Sequence, residues 1–329
     1  MFKFSCADSS FPVLERSAAL RLVNLLGFNH VDIGLFARSS HFSPGELQAS
    51  PRGYTAQVLN DLNAANLQVS DLFVQFGVDP SQCSANDPDP GVRNMTHDAF
   101  SHALDFCLAL GCDHITGLPG VVHSAASLDR DLELGVEEAS RRVTECARAG
   151  IRYAIEPHVD SICAEVGSTH AFLNAVEGLT LTLDYGHFVA AGATSANVHS
   201  LLPSASHIHV RGGAIGKLQT SLEENAIDFT GMLMELQRTR YSGFLALEYV
   251  WLDWKGCNRT DNVSETILLR RALESTMRGL DEASREVQSS AKMQYSPGEQ
   301  PKVNQNLSAC NWRLPMARAF GQKITVLKG

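Results

Sequence analysis

The stretch ARAGIRYAIEPH, residues 147–158, decides the fold of this chain. It closes an amphipathic segment, passes through a glycine and enters a short apolar run that contains β-forming residues. A glycine in this place is typical of the end of a helix that leads into a buried strand. The stretch therefore predicts the helix–strand junction of an α/β protein.

The same pattern recurs along the chain and predicts eight strands, each followed by a helix. The other strand-bearing stretches are FKFSCA (2–7), LLGFNHVDIG (25–34), LNAANLQVSDLFV (62–74), LALGCDHITGLPG (108–120), AVEGLTLTLDYGH (175–187), SASHIHVRG (204–212) and RYSGFLALEYV (240–250). Eight such units in about 280 residues match the count and length of a (β/α)8 barrel. A doubly wound sheet predicts fewer units and a glycine-rich loop after the first strand. We therefore expect an α/β fold, a (β/α)8 TIM barrel with a C-terminal extension.

The extension differs from the barrel in charge. Residues 282–329 contain seven Lys or Arg and three Glu, a net charge of +4, so residues 1–281 carry −13. The polar stretch 289–306 contains proline and glycine and is typical of a linker. We predict that the barrel occupies residues 1–281. Over 282–329 we predict a polar linker and then either a disordered tail or an arm that packs on the barrel or on a second subunit.

Composition excludes several classes of protein. The 329 residues are 44% hydrophobic and 19% charged, with a mean hydropathy of −0.08, which is typical of a soluble globular protein. The net charge of −9 argues against a nucleic-acid partner, because binding phosphates needs a basic face. We expect neither a membrane span nor a signal peptide, since no apolar run approaches eighteen residues. Eight scattered cysteines without a CxxC pair predict reduced thiols and a cytoplasmic protein.

Potential metal ligands end four consecutive predicted strands, the fifth to the eighth. They are Glu156 in AIEPH, Asp184 and His187 in LTLDYGH, His207 and His209 in HIHV, and Glu248 in LALEYVW. A single acidic group here often caps the next helix, and a single histidine is often structural. Four strand ends in register are harder to explain in that way, because buried charges are costly unless they are paired or bind a cation. An oxygen-rich set predicts one divalent ion, Mn²⁺ before Mg²⁺, Co²⁺ or Zn²⁺.

These motifs carry a family resemblance. IEPH (155–158), LTLDYGHF (181–188), HIHVRG (207–212) and LALEYV (245–250), in this order and spacing, resemble the sugar phosphate isomerase/epimerase family of xylose isomerase-like TIM barrels. The resemblance covers roughly residues 1–280, and only the block 156–254 is specific.

The resemblance implies a role for each motif residue. It implies Glu156, Asp184, His209 and Glu248 as metal ligands and His187 as a substrate contact. His207 is then either a residue that supports the ligands from behind or a packing residue. It also implies a sugar or polyol substrate and, by analogy, a dimer or tetramer. Many relatives read HVHLKD where this chain has Arg211 and Gly212.

Other substrate contacts are predicted around the mouth of the barrel. The planar fork of Arg211 suits a carboxylate or phosphate, although a solvated loop residue is the alternative. His158 either lines the pocket or caps the next helix, and Trp251 with Trp254 either forms an apolar wall or packs the loop. The remaining candidates are Lys217 and Gln219 after the seventh strand, and Asp8, Asp32, Phe73, His114 and His123, which we expect to be structural.

The predicted reaction is proton abstraction next to a carbonyl through a metal-stabilised enediolate. One catalytic glutamate, Glu156 or Glu248, would take the proton and the other would return it on the opposite face. Epimerisation or isomerisation of a sugar or polyol ketone is favoured. A lyase or dehydratase acting on an inosose, a dehydroshikimate-like compound or an oxidised glycoside is the main alternative. More remote ones are an endonuclease IV-like phosphodiesterase and a non-catalytic sugar-binding barrel.

Overall fold

The computed structural model describes residues 2–124 and 127–294, and its centre is a closed barrel of parallel strands. The strands are β1 (Lys3–Ala7), β2 (His30–Phe36), β3 (Gln68–Gln75), β4 (His114–Gly117), β5 (Arg152–Ile155), β6 (Thr180–Asp184), β7 (Ala205–Val210), the hairpin strands β8 (Gly212–Ala214) and β9 (Lys217–Thr220), and β10 (Phe244–Leu247). The barrel follows chain order through β7 and closes when β10 pairs with both β7 and β1. The predicted (β/α)8 barrel is confirmed.

Helices connect the strands, and glycine ends several of them as the sequence indicates. The helices are α1 (Arg16–Leu25), α2 (Pro44–Ala49), α3 (Pro51–Ala65), α4 (Pro90–Ala109), α5 (Leu128–Arg148), α6 (Val166–Ala175), α7 (Tyr185–Ala190), α8 (Ser195–His199), α9 (Phe229–Arg238) and α10 (Asn262–Gln294). Gly150, which separates α5 from β5, has φ +74°, a left-handed conformation that glycine adopts without a steric cost. At the other end of a helix, the Asp89 carboxylate accepts the Gly91 N–H at 2.7 Å and caps α4.

The apolar core lies between the strands and the helices, whereas the barrel interior is polar. Leu20 of α1 and Phe100 of α4 are fully buried in the outer core. Inside the barrel, hydrogen-bonding distances join strands that are not neighbours. They link His207 Nε2 to Asp32 Oδ2 at 2.6 Å, His114 Nε2 to Ser206 Oγ at 2.7 Å and Thr116 Oγ1 to Thr182 Oγ1 at 2.6 Å. Branched aliphatic side chains commonly fill this space in TIM barrels.

Two segments differ from a simple alternation of strands and helices. The hairpin β8–β9 follows β7, and Gln219 on β9 donates to the carbonyls of Val250 and Cys257, which fixes the loop after β10. The last helix, α10, continues to Gln294, so residues 282–294 of the predicted linker are helical. Residues 295–329 lie outside the described residues, and the predicted arm or tail stays a prediction there.

Two further sequence expectations concern cysteines and membrane spans. The seven cysteines within the described ranges are free thiols, and Cys310 lies outside them. No described helix combines the length and the apolar character that a membrane crossing needs.

Candidate active site

The four predicted metal ligands lie at the carboxyl ends of four neighbouring barrel strands. Glu156 follows β5, Asp184 ends β6, His209 is on β7 and Glu248 follows β10. The strand register places Asp184 opposite His209 on β7. It also places His209 opposite Ala246 on β10, two residues before Glu248. All four side chains are buried. The fold therefore brings together residues that are up to 92 positions apart in the sequence.

His209 lies at the centre of this group. Its Nδ1 atom is 2.5 Å from Glu156 Oε1 and 3.3 Å from Glu248 Oε2. Ligand atoms of Glu156, His209 and Glu248 all lie within 4.8 Å of one another, as do those of Glu156, Asp184 and His187. Two carboxylates converging on one imidazole nitrogen form a donor set suited to a divalent cation. Glu156, His209 and Glu248 thus fit the metal ion that the sequence predicts, and Asp184 joins the site through Glu156.

Arg211 adds a buried positive charge beside these ligands. Its Nη2 atom is 2.5 Å from Asp184 Oδ2 and 3.8 Å from Glu248 Oε2. Its Nε atom has no hydrogen-bond partner among the described residues. With the His209 ring neutral, as a metal ligand must be, the three carboxylates and one guanidinium leave a net charge of −2. A divalent cation would neutralise that charge, which is costly to bury alone.

The pKa values of the two glutamates shift in opposite directions. Burial, together with the negative charge of Glu248, raises the pKa of Glu156 to about 7 against the opposing effect of His209. Burial also acts to raise the pKa of Glu248, but the positive charges of His209 and Arg211 outweigh it and the pKa falls. Two carboxyl groups with separated pKa values are suited to act as acid and base.

Histidines and a tryptophan surround Asp184 on the side of β5 and β6. His187 Nε2 is 3.7 Å from Asp184 Oδ2, and His187 Nδ1 accepts the Val159 N–H at 3.2 Å. The ring of His187 is 6.2 Å from the ring of His158 and 6.2 Å from that of Trp254. The buried Nε2 atom of His158 finds no hydrogen-bond partner within the described ranges. His187 and His158 therefore lie beside the predicted ligands, as a substrate contact requires.

Phe73 packs against this group, with its ring 5.8 Å from that of His209, but Trp251, Lys217 and Gln219 lie outside it. Trp251 is 45% exposed after β10. Lys217 forms a surface ion pair of 2.8 Å with Glu224. Both ends of the Gln219 amide bind loop backbone, since Oε1 accepts the Val250 N–H at 2.8 Å. Gln219 thus holds the loop that carries Trp251.

A second set of polar side chains lies beneath the first, and it includes Asp71, which the sequence analysis does not predict. Asp32 binds His207 as described above, and Asp71 Oδ1 is 2.6 Å from His114 Nδ1. Asp71 was not among the candidate residues. A carboxylate inside the apolar strand VSDLFV was the available signal. Asp32 and His114 therefore lie inside the barrel, in contact with β7.

Comparison with known proteins places the chain in a family. The family model described as xylose isomerase-like TIM barrel matches residues 20–273. This chain belongs to that family. No curated protein matches its sequence.

Solved structures of similar fold include two epimerases and a dehydratase. The D-allulose 3-epimerase from Methylomonas sp. is 17% identical, with 84% of this chain and 98% of that chain covered and a TM-score of 0.64. The 3-keto-D-glucoside 4-epimerase from E. coli is 13% identical, with 84% of this chain and 100% of that chain covered and a TM-score of 0.63. The probable 3-DHS dehydratase from Bacillus anthracis is 16% identical, with 82% of this chain and 98% of that chain covered and a TM-score of 0.61. At these identities the likeness shows the shared barrel.

Proposed function

We propose that this protein is a divalent-metal-dependent epimerase or isomerase of a sugar or polyol ketone. The observation that carries the proposal is the convergence of Glu156 and Glu248 on His209 Nδ1, at 2.5 and 3.3 Å. Two buried carboxylates at one nitrogen supply both a metal site and a pair of proton-transfer groups. The barrel strands that carry them are separated by β6 and β7, so the two groups approach the mouth from different sides.

A cation fits this site, and Mn²⁺ is our first choice for it. A divalent ion bound by Glu156, Asp184, His209 and Glu248 would supply a Lewis acid that polarises a substrate carbonyl. His209 would ligate through Nδ1, because that nitrogen faces the glutamates while Nε2 lies 3.5 Å from Asp32 Oδ2. A carboxylate behind a ligating imidazole fixes its orientation.

The glutamates would move the proton. One of them removes the hydrogen from the carbon next to the carbonyl, and the other returns a proton to the opposite face, which inverts that carbon. A proton returned to the neighbouring carbon would give isomerisation. Burial of both groups keeps bulk water away from the reacting carbon.

Residues around the ligands would hold the substrate. His187 and His158 lie on one side of the site and would donate or accept hydrogen bonds with substrate hydroxyls. Arg211, already bound to Asp184, retains an unpartnered Nε–H among the described groups and would donate to a substrate oxygen. Trp251 would cover the mouth from the loop that Gln219 fixes. A small neutral polyol suits a pocket whose ligands are mostly anionic.

The named activities of structures with this fold agree with the proposal. Two of the three described above are epimerases of sugars or a keto-glucoside by their printed names. The third is a probable 3-DHS dehydratase, which corresponds to the lyase alternative. Both reactions can begin with the same proton abstraction, so the product distinguishes them.

Proton NMR of candidate substrates in D₂O tests the proposal. Ketoses, inososes and oxidised glycosides are incubated with Mn²⁺-loaded protein and with chelator-treated protein. We expect metal-dependent loss of one α-proton signal with formation of an epimer or isomer. The variant Glu224→Gln, which changes an exposed carboxylate paired with Lys217, is the control and should exchange normally. Elimination products would establish the lyase alternative, and metal-independent exchange would contradict the proposal.

A further inference from the structure

A second group of carboxylates and imidazoles lies inside the barrel, below the site described above. It consists of Asp32 on β2, Asp71 on β3, and His207 and His209 on β7. One ligand atom from each residue lies within 4.8 Å of the other three. The register pairs Thr182 with His207 and Asp184 with His209, so His207 belongs to the layer of side chains beneath the predicted metal ligands. We call these four residues the inner cluster.

In each carboxylate of the inner cluster, one oxygen is hydrogen-bonded to residues outside the cluster. The other oxygen makes no such bond. Asp32 Oδ1 accepts the hydroxyls of Ser5 at 2.8 Å and Ser70 at 2.5 Å, while Oδ2 faces His207 Nε2 at 2.6 Å and His209 Nε2 at 3.5 Å. Asp71 Oδ1 binds His114 Nδ1 at 2.6 Å. Outer hydrogen bonds of this kind orient the carboxylates that ligate metal ions in proteins.

Two buried atoms of the cluster have no hydrogen-bond partner among the residues that the structure describes. They are Asp71 Oδ2 and His209 Nε2, the latter 3.5 Å from Asp32 Oδ2 but outside hydrogen-bond geometry. Asp71 is 0% exposed and His209 is 1% exposed, so bulk water does not solvate either atom. A buried carboxylate oxygen left in this way is costly, and the great majority of buried polar atoms are paired. Both atoms belong to the four-residue set, which indicates that a positively charged ligand completes it.

We propose that Asp32, Asp71, His207 and His209 bind a second divalent cation inside the barrel. Two carboxylate oxygens and two imidazole nitrogens are a mixed set that suits Zn²⁺, Co²⁺ or Mn²⁺. The two aspartates alone balance the charge of the ion. His209 would face the outer site with Nδ1 and the inner cluster with Nε2. A ring that holds both cations does so as an imidazolate, and its N–H proton is released to solvent when the second ion binds. This site is separate from the catalytic carboxylates, and it does not depend on the proposed reaction.

In the competing arrangement, hydrogen bonds alone hold the inner cluster together. In it, a ring N–H of His207 donates to Asp32 and one of His114 donates to Asp71, and no ion is bound. This arrangement leaves Asp71 Oδ2 without a partner within the described part of the chain. The two arrangements predict different metal contents for the same protein.

Metal content after loading with Co²⁺ tests the inference. The protein is stripped with a chelator, loaded with Co²⁺, freed of excess ion and analysed for cobalt per chain by mass spectrometry. We expect two Co²⁺ per chain in the unaltered protein. Asp71→Asn, which keeps the size of the side chain and the bond to His114, should retain one. The double variant Glu156→Gln/Glu248→Gln should also retain one, because it removes the outer ligands only.

Thr182→Val is the matched control. Thr182 is buried in the same layer and pairs with Thr116 at 2.6 Å, but it offers no charged ligand. It should therefore retain two Co²⁺, and thermal unfolding of each variant separates loss of an ion from loss of the fold. A single Co²⁺ that Asp71→Asn keeps and the double variant loses would overturn the inner site and leave the proposed function intact. A single Co²⁺ that only Asp71→Asn loses would support the inner site and contradict the outer one.

Discussion

Arg211 Nη2 lies 2.5 Å from Asp184 Oδ2, so a buried guanidinium is bound to one of the predicted metal ligands. The side chains of Arg211 and Asp184 are only 3% and 1% exposed. The same guanidinium lies 3.8 Å from Glu248 Oε2. Arg211 therefore neutralises part of the carboxylate charge, and a bound metal ion would neutralise the rest.

Because Arg211 and the metal ion would neutralise the same carboxylates, we predict that the stability of the Arg211→Met variant depends on bound metal. Without metal, the variant leaves Asp184 and Glu248 buried with less compensation, and we expect a loss of roughly 3–5 kcal/mol in the free energy of unfolding. With Mn²⁺ bound, the loss should be clearly smaller. Urea unfolding with and without Mn²⁺ measures the difference. Lys217→Met, which breaks an exposed ion pair, should change little in either condition. Equal losses for Arg211→Met in both conditions would contradict the prediction.

Helix α5 offers a second test of buried against exposed charge. Arg142 Nε is 2.8 Å from Glu138 Oε1, both are buried, and the Arg142 guanidinium stacks 4.7 Å above the Phe100 ring. Glu138→Ala should destabilise the protein by roughly 3–5 kcal/mol, because it leaves a buried guanidinium without its carboxylate. Glu133→Ala removes the exposed partner of Arg130 on the same helix and should have almost no effect. Denaturant unfolding of the two variants checks this, and similar losses would count against the buried pair.

The contact between Asp8 and His41 predicts a pH dependence of stability. Burial acts to lower the pKa of His41, but the hydrogen bond and charge of Asp8, with the Leu14 carbonyl, outweigh it and raise the pKa above about 6.5. His41 Nδ1 is 2.7 Å from Asp8 Oδ2, and Nε2 is 3.0 Å from the Leu14 carbonyl oxygen. A raised pKa in the folded state stabilises the protein fully below the unfolded value of about 6.5, and the stabilisation is lost as pH rises through the folded value.

Two variants measure that dependence. His41→Gln should lose more stability, relative to the unaltered protein, at about pH 6 than at about pH 9. Asp8→Asn removes the charge that raises the pKa and should reduce the same difference. Chemical unfolding at the two pH values is the measurement. A loss from His41→Gln that is the same at both values would show that the imidazolium contributes nothing.

The positions of the predicted ligands follow from local sequence patterns joined by one rule of architecture. Each pattern, such as LTLDYGH, places a polar residue directly after an apolar strand, and a closed parallel barrel brings all such ends to one mouth. Asp184 and Glu248 could therefore be predicted together although 64 positions separate them. The glycine before a strand, as at Gly150, likewise predicts the helix end because few other residues adopt φ +74°.

Contacts across the barrel could not be predicted in the same way. Asp71 and His114 lie within strands, and only the pairing of β3 with β4 and the closure of the barrel place them near His207. The pairing of Arg211 with Asp184 depends on the turn into the hairpin β8–β9, which the alternation of strands and helices does not predict. The sequence therefore predicts which residues reach the mouth, but their partners depend on strand register and loop geometry.

Deuterium exchange by the two glutamate variants tests the proposed two-base mechanism most directly. Once a substrate is found, Glu156→Gln and Glu248→Gln are loaded with Mn²⁺, checked for metal content and given each epimer separately in D₂O. We expect each variant to lose exchange from one epimer by a factor of about 10²–10⁴, and the two variants to fail on opposite epimers. If both variants with full metal content exchanged both epimers at the unaltered rate, Glu156 and Glu248 would not be the proton-transfer groups.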